Sequence, residues 1–253
     1  MDILYAVILG IVQGITEWLP ISSSGHLVIF QQLFNLEVPV FFDIMLHFAT
    51  LFVIFIVFFK DIVNVVKSWI CWRKDEYWKL GWFVILGSIF TASFGFLFKD
   101  LIYGFFSSLF VVGIALIFTG CLLFLTKLVN GRKALKWYDV VLIGLMQGLA
   151  LVPGISRSGS TIGTGMLLGV DKEKVARFSF LLVIPAIIGA TVLEYDSSFV
   201  VANLIPVIVG MLVSIVVGYV ALKLLLKIVL RNKFWLFGFY CVILGIFLCL
   251  LSL

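Results

Sequence analysis

Residues 13–26 read Gln13-Gly-Ile-Thr-Glu17-Trp-Leu-Pro20-Ile-Ser22-Ser23-Ser24-Gly25-His26. A glutamate, a histidine, three serines and a helix-ending proline interrupt an apolar chain here. That chain is 63% hydrophobic and 12% charged over 253 residues, against roughly 45–50% and about 25% in soluble domains. A water-soluble enzyme is excluded, because no globule of this size hides so much apolar surface. The apolar content matches about eight 20-residue membrane spans. Long apolar runs, rather than period-two alternation, point to helices and away from an outer-membrane barrel. Residues 1–9 have no basic segment and carry Asp2, so no cleaved signal peptide is expected. The four cysteines, Cys71, Cys121, Cys241 and Cys249, lack metal or disulfide spacing and read as packing residues.

Spans are expected at residues 41–59, 80–98, 107–126, 178–193, 204–222 and 234–251. Basic residues crowd the loops 60–79, 127–137, 171–177 and 223–233, whereas residues 1–40 and 194–203 have none and 99–104 only Lys99. Cytoplasmic loops collect Lys and Arg, which puts the four basic loops inside and both termini outside. Residues 1–40 must then start and finish outside, and residues 138–170 inside. Each is too short for two crossings, so both are expected to be re-entrant hairpins. The net charge of +5 therefore encodes orientation, and no nucleic-acid partner is expected. The aromatics Trp69, Trp72, Tyr77, Trp78 and Trp82 read as an interfacial belt.

The two hairpins echo each other. Gly10-Ile-Val-Gln13-Gly14-Ile15 returns as Gly144-Leu-Met-Gln147-Gly148-Leu149, and Pro20-Ile-Ser22-Ser23-Ser24-Gly25 as Pro153-Gly-Ile-Ser156-Arg157-Ser158-Gly159. Each half, residues 1–126 and 138–253, would hold one hairpin and three spans. Three is odd, so the second half sits upside down. The expected fold class is an all-α polytopic membrane protein of one domain: six transmembrane helices plus two re-entrant helical hairpins in an inverted-topology repeat. Such repeats place their sites where the broken helices meet.

Gln13 and Glu17 share a helix face, and Ser23 and His26 share the first turn of the returning half-helix. Glu17 is costly inside a bilayer and defaults to a functional reading. Gln13 and Gln147 suit interhelical bonding as well as a site. In the second break Gly154 and Gly159 allow close backbone approach, while Ser156, Ser158, Ser160 and Thr161 supply hydroxyls. Arg157 offers a planar fork for phosphate oxygens. If the breaks meet, two helix N-termini, an arginine and many hydroxyls form an anion site. A carboxylate there would repel phosphate unless a hard divalent cation bridged them, with Gln13 and Glu17 on the metal side. Asp43 and His47, four residues apart at the start of a span, read as an interfacial pair.

Gln13 through Glu17, running into Pro20-Ile-Ser-Ser-Ser-Gly-His26, and Pro153-Gly-x-Ser-Arg-Ser-x-x-Thr161 resemble the two signatures of the undecaprenyl pyrophosphate phosphatase family. The second signature matches at every fixed position. The likeness extends over essentially the whole chain. It implies hydrolysis of undecaprenyl diphosphate to the monophosphate and phosphate, which recycles the carrier for peptidoglycan and underlies bacitracin resistance. It implies a divalent metal, commonly Mg2+ or Ca2+, and a multi-pass protein of the bacterial cell membrane with a site open to the outer face. By position Glu17 is the metal-associated acid, Ser23 and His26 the candidate nucleophile or base, and Arg157 the phosphate binder. Serine attack, histidine attack and activated water remain alternatives, and a homodimer is left open. Gln13 stands where some members carry Glu, which lowers the negative charge at the site. A transporter shares broken helices and inverted repeats; convergence of Ser23 and His26 on Glu17 is what favours the enzyme.

Overall fold

In the computed structural model, which describes residues 2–36, 38–195, 199 and 202–252, regular structure among the described residues is helical, apart from one isolated bridge between Lys133 and Val170. Helices α1 (Ile3–Trp18) and α2 (Ser23–Leu33) form the first broken pair. Then come α3 (Val40–Val57), α4 (Phe59–Ile70), α5 (Glu76–Leu97), α6 (Lys99–Phe105) and α7 (Leu109–Leu125). The second broken pair is α8 (Trp137–Leu149) and α9 (Arg157–Leu167). It is followed by α10 (Lys172–Leu193), α11 (Leu204–Leu230) and α12 (Phe237–Leu251). Among the described residues six helical stretches are long and apolar enough to cross a membrane: Val40–Val57, Glu76–Leu97, Leu109–Leu128, Lys172–Leu193, Leu204–Leu230 and Phe234–Leu251.

All six expected spans are present, but several loops are helical. The basic turn at 171–177 is the first turn of α10, because the Asp171 side chain accepts from the N–H groups of Glu173 and Lys174 and starts the helix there. The basic stretch after residue 222 continues α11 to Leu230, since long basic side chains are good helix formers. Within the loop at 60–79, α4 has Lys60, Asn64 and Lys67 along one side and Phe59, Val66 and Ile70 exposed on another. Trp69, Trp78 and Trp82 pin α4 to α5: Trp69 Nε1 donates to the Trp78 carbonyl, and the Trp69 and Trp82 rings meet at a tilt of 35° with centroids 5.4 Å apart. Asp75 caps α5, and the Trp78 backbone N–H it binds holds its carboxyl below the usual range. The expected outer loop at 194–203 lies partly outside the described residues.

The helices approach closely where glycines allow it. α1 packs along α11, and a Cβ on Gly10 would sit 2.6 Å from the Gly210 carbonyl oxygen. α8 packs along α5, and a Cβ on Gly144 would sit 2.5 Å from the Gly87 carbonyl oxygen. α7 pairs with α12, while α3 and α10 touch near the centre. The core between them holds Trp18, Phe58, Phe178 and Phe180, with Trp18 edge-on to Phe180 at 5.8 Å. Gly10→Val and Gly144→Val should each destabilise the fold by about 1–3 kcal/mol through overpacking. Thermal unfolding in detergent checks this; an unchanged melting temperature in both would contradict the crossing geometry.

Candidate active site

Pro20 cannot continue α1, and the chain turns through Ser22 at φ 68°, a left-handed conformation rare for a side chain with a Cβ. The turn is held by its hydrogen bonds. Ser22 Oγ accepts from the Gly25 N–H at 3.2 Å and from the Gly154 N–H of the other break at 3.0 Å. The second break turns through Gly154 at φ 99°, where an added Cβ would meet the Val112 carbonyl at 2.5 Å. Ser156 caps α9 by accepting from the Gly159 N–H at 3.1 Å. Thr119 of α7 braces this turn, donating to the Gly154 carbonyl and accepting from the Ser156 N–H. Ser158 Oγ donates to the Leu19 carbonyl at 3.3 Å. The two breaks are thus stitched together, and the N-termini of α2 and α9 meet.

Glu17 lies at the junction, 6% exposed. Its Oε1 receives Arg157 Nη2 at 2.6 Å, and its Oε2 receives the Ser23 hydroxyl at 2.7 Å and Gln13 Nε2 at 3.1 Å. His47 Nδ1 is 2.8 Å from the same Oε2. A carboxylate only accepts, so a proton on Nδ1 is donated to it, and Gln13 Nε2, 2.8 Å from the same Nδ1, is then a second donor to that carboxylate and not a partner of the ring. The Arg157 guanidinium also lies 5.7 Å from the centre of the Trp18 ring. The buried atoms without a partner among the described residues include Gln13 Oε1, an acceptor, and Arg157 Nη1, a donor, besides Trp18 Nε1 and Ser160 Oγ. Beside Glu17 the site therefore holds an unused amide oxygen and an unused guanidinium edge.

Of the expected residues, Gln13, Glu17, Ser23 and Arg157 come together. His26 does not join them. Its Nδ1 is 2.8 Å from the Ser22 carbonyl, which fixes the proton on Nδ1. Its Nε2 is 2.7 Å from the Tyr240 hydroxyl. A shared helical turn put Ser23 and His26 together on paper, but three residues along a helix also rotate a side chain about 60° away from its neighbour. Ser156 and Thr161 spend their hydroxyls locally, Thr161 on the Arg157 carbonyl and on Ser179. Gln147 bridges helices, donating to Thr91 Oγ1 and the Leu182 carbonyl.

His47 and Asp43, one turn apart in α3, take different hydrogen-bond partners. His47 turns inward to Glu17, and Asp43, also buried, accepts from Gln31 Nε2 at 2.7 Å. The signal was present, since an ionisable residue inside an apolar span is a functional candidate by default. Tyr240 and Thr119 carry no comparable signal, being ordinary residues of apolar helices until the fold brings them to the breaks.

A family model described as bacitracin resistance protein BacA matches residues 6–247. The chain belongs to the BacA family. Among similar proteins is one of Methanosphaera stadtmanae named undecaprenyl-diphosphatase, 39% identical across 100% of this chain and 99% of its own length. Proteins of the same name from Desulfosudis oleivorans and Alkaliphilus metalliredigens are 44% and 41% identical, covering 97% and 98% of both chains respectively. Every residue of the Glu17 cluster falls within the family match.

Ser22→Ala would leave the Gly25 and Gly154 N–H groups without their shared acceptor. A loss of about 1–3 kcal/mol is expected, with the melting temperature falling even where no substrate is present. Retention of wild-type stability would show that the two breaks do not depend on this hydroxyl.

Proposed function

We propose that this chain is an undecaprenyl-diphosphatase, removing the terminal phosphate of undecaprenyl diphosphate to leave the monophosphate. One observation carries the chemistry: the Ser23 hydroxyl proton points at Glu17 Oε2 while Arg157, already tied to Glu17, keeps Nη1 free. Glu17 is the base that draws the proton from Ser23, or from a water in its place. His47 steadies the carboxylate from the other side. Arg157 holds Glu17 with one nitrogen and phosphate oxygens with the other, a division its planar fork permits. The N-termini of α2 and α9 add positive potential. Gly154, Ser156, Ser158 and Thr161 shape this phosphate cradle, partly by holding the turn and partly through backbone N–H groups.

Attack by Ser23 on the terminal phosphorus breaks its bond to the bridging oxygen, and undecaprenyl phosphate leaves. Water then releases phosphate from the serine. Phosphoryl transfer asks mostly for positioning and charge stabilisation, which suits a set of this kind. His26, bonded to Tyr240, stands one helical turn away as a proton carrier on the leaving-group side.

A magnesium or calcium ion fits the donors present. Glu17 and the unpartnered Gln13 Oε1 are hard oxygens, and such ions take one or two carboxylates plus substrate phosphates. Among the described residues no group of three His, Cys, Asp or Glu is arranged for a metal, so substrate oxygens would complete the shell. When bound, the ion supplies neutralisation of the diphosphate charge.

We also read the chain as one membrane domain of two inverted repeats, residues 1–126 and 138–253, with α1–α2 and α8–α9 as re-entrant hairpins. Matching contacts support this: Ser214 of α11 donates to the Gly10 carbonyl, and Thr91 of α5 to the Gly144 carbonyl. The protein would sit in the bacterial cell membrane with the site open outward. There it would recycle the lipid carrier for peptidoglycan and confer bacitracin resistance, with the bilayer and the prenyl diphosphate as its partners. A homodimer is compatible with this reading.

Purified protein in detergent should release phosphate from undecaprenyl diphosphate, and chelator should abolish it. Ser23→Ala, Glu17→Ala and Arg157→Ala should each cost at least about a hundredfold in kcat/KM, the scale of losing a nucleophile, its base or a charge-stabilising donor. Folded Arg157→Ala protein with near-normal turnover would sink the assignment. Activity only across a closed membrane would favour a transporter.

A further inference from the structure

Away from Glu17, three turns that carry basic residues enclose a polar pocket of about 340 Å³. They are residues 129–132 after α7, the turn between α9 and α10, and Asn232 after α11. Backbone pairing locks the first two. The Lys133 N–H donates to the Gly169 carbonyl and the Asp171 N–H to the Lys133 carbonyl, both at 3.0 Å. Lys172 ties in the third, donating to the Leu230 carbonyl and to Asn232 Oδ1, while Asn232 Nδ2 donates to Asn130 Oδ1 at 3.1 Å. The walls are therefore fixed by the protein's own contacts. The pocket stands at the far end of α9 from Arg157, about 16 Å along that helix at 1.5 Å per residue.

Its charges do not cancel. Arg132 and Lys172 line it with one acid, Asp171, whose Oδ1 accepts from the Glu173 and Lys174 N–H groups. Arg132 has no hydrogen-bond, ion-pair or ring partner among the described residues. Nearby cations are spent, Lys133 on Asp139 and Lys127 on the Trp235 ring. Met166 and Val170, both buried, add an apolar floor. The depth is that of a membrane surface, because four apolar stretches begin or end here: Leu109–Leu128, Lys172–Leu193, Leu204–Leu230 and Phe234–Leu251. Leu128 and Leu230, the last residues of two of them, are 79% and 49% exposed.

We propose that this pocket binds the phosphodiester headgroup of an anionic membrane lipid of the phosphatidylglycerol kind. One net positive charge matches the single negative charge of a phosphodiester. Arg132 offers its unused fork to the phosphate oxygens. Asp171 and Asn130 supply polar partners for the headgroup hydroxyls, and the exposed leucines beside the rim meet the acyl chains. Basic pockets between membrane helices at headgroup depth hold anionic lipids in this way. A soluble phosphate ester would gain nothing from those leucines.

Native mass spectrometry of the detergent-purified full chain, titrated with phosphatidylglycerol or phosphatidylcholine, tests this. Wild type should prefer phosphatidylglycerol. Arg132→Gln should weaken that binding about fivefold, the worth of one cation near anionic lipid. Arg231→Gln changes an exposed arginine beside Asn232 that does not line the pocket, and should lose little. Both arginines are exposed, so melting temperatures without added lipid should match wild type. Glycerophosphoglycerol, the same headgroup without acyl chains, should bind at least about tenfold more weakly than the lipid, the worth of burying two methylenes. Equal wild-type affinity for the two lipids overturns the proposal. Equal losses in the two arginine variants overturn it too, because attraction would then be diffuse over a basic surface. Glycerophosphoglycerol binding as tightly as phosphatidylglycerol would overturn a membrane lipid as the occupant.

Discussion

Glu17 and Arg157 are buried opposite charges that come from different halves of the chain and meet at 2.6 Å. Neither is tolerable alone at this depth, because a buried charge without a partner costs several kcal/mol. Each therefore requires the other's break to be in place. The requirement fixes where the two turns cross, and the turns fix which helices flank them. Ser22 reinforces it with an uncharged link, one hydroxyl oxygen accepting from both breaks. Glycine at positions 10 and 144 then lets the flanking helices close on α11 and α5.

This constraint also explains the local sequence of the breaks. A helix that starts at a buried turn has N–H groups with no water to satisfy them. Ser22 and Ser156 meet that need as caps, and both do so at the cost of hydroxyls that the pattern alone would offer to a ligand. The groups left over carry the chemistry. Under the proposed repeat, Ser23 and Arg157 stand at equivalent positions, each first in its half-helix, and both reach Glu17. Serine in one half and arginine in the other give the two breaks different chemistry at that position.

The two histidines show where local pattern misleads. His26, in the conspicuous motif, faces Tyr240 and an apolar groove along α1. His47, inside an apolar span and outside both motifs, reaches the carboxylate. Together they divide the junction into a charged side around Glu17 and an apolar side along α1, separated by the turn at Pro20.

Composition, the six apolar stretches and the two proline-broken motifs were readable from the sequence alone, because each depends on local hydrophobicity or local backbone preference. So was the list of costly residues, Gln13, Glu17 and Arg157, since an ionisable or amide group in an apolar run stands out wherever it points. The helical character of the basic stretches at 171–177 and 223–230 was hidden, because charge marks a membrane boundary without breaking a helix. Tertiary structure decided the partners: His47 over His26 beside Glu17, Tyr240 on His26, Thr119 under Gly154, and the groove that ends at the break. Those contacts join residues far apart in the chain, and nothing in local spacing sets the rotation of one helix against another.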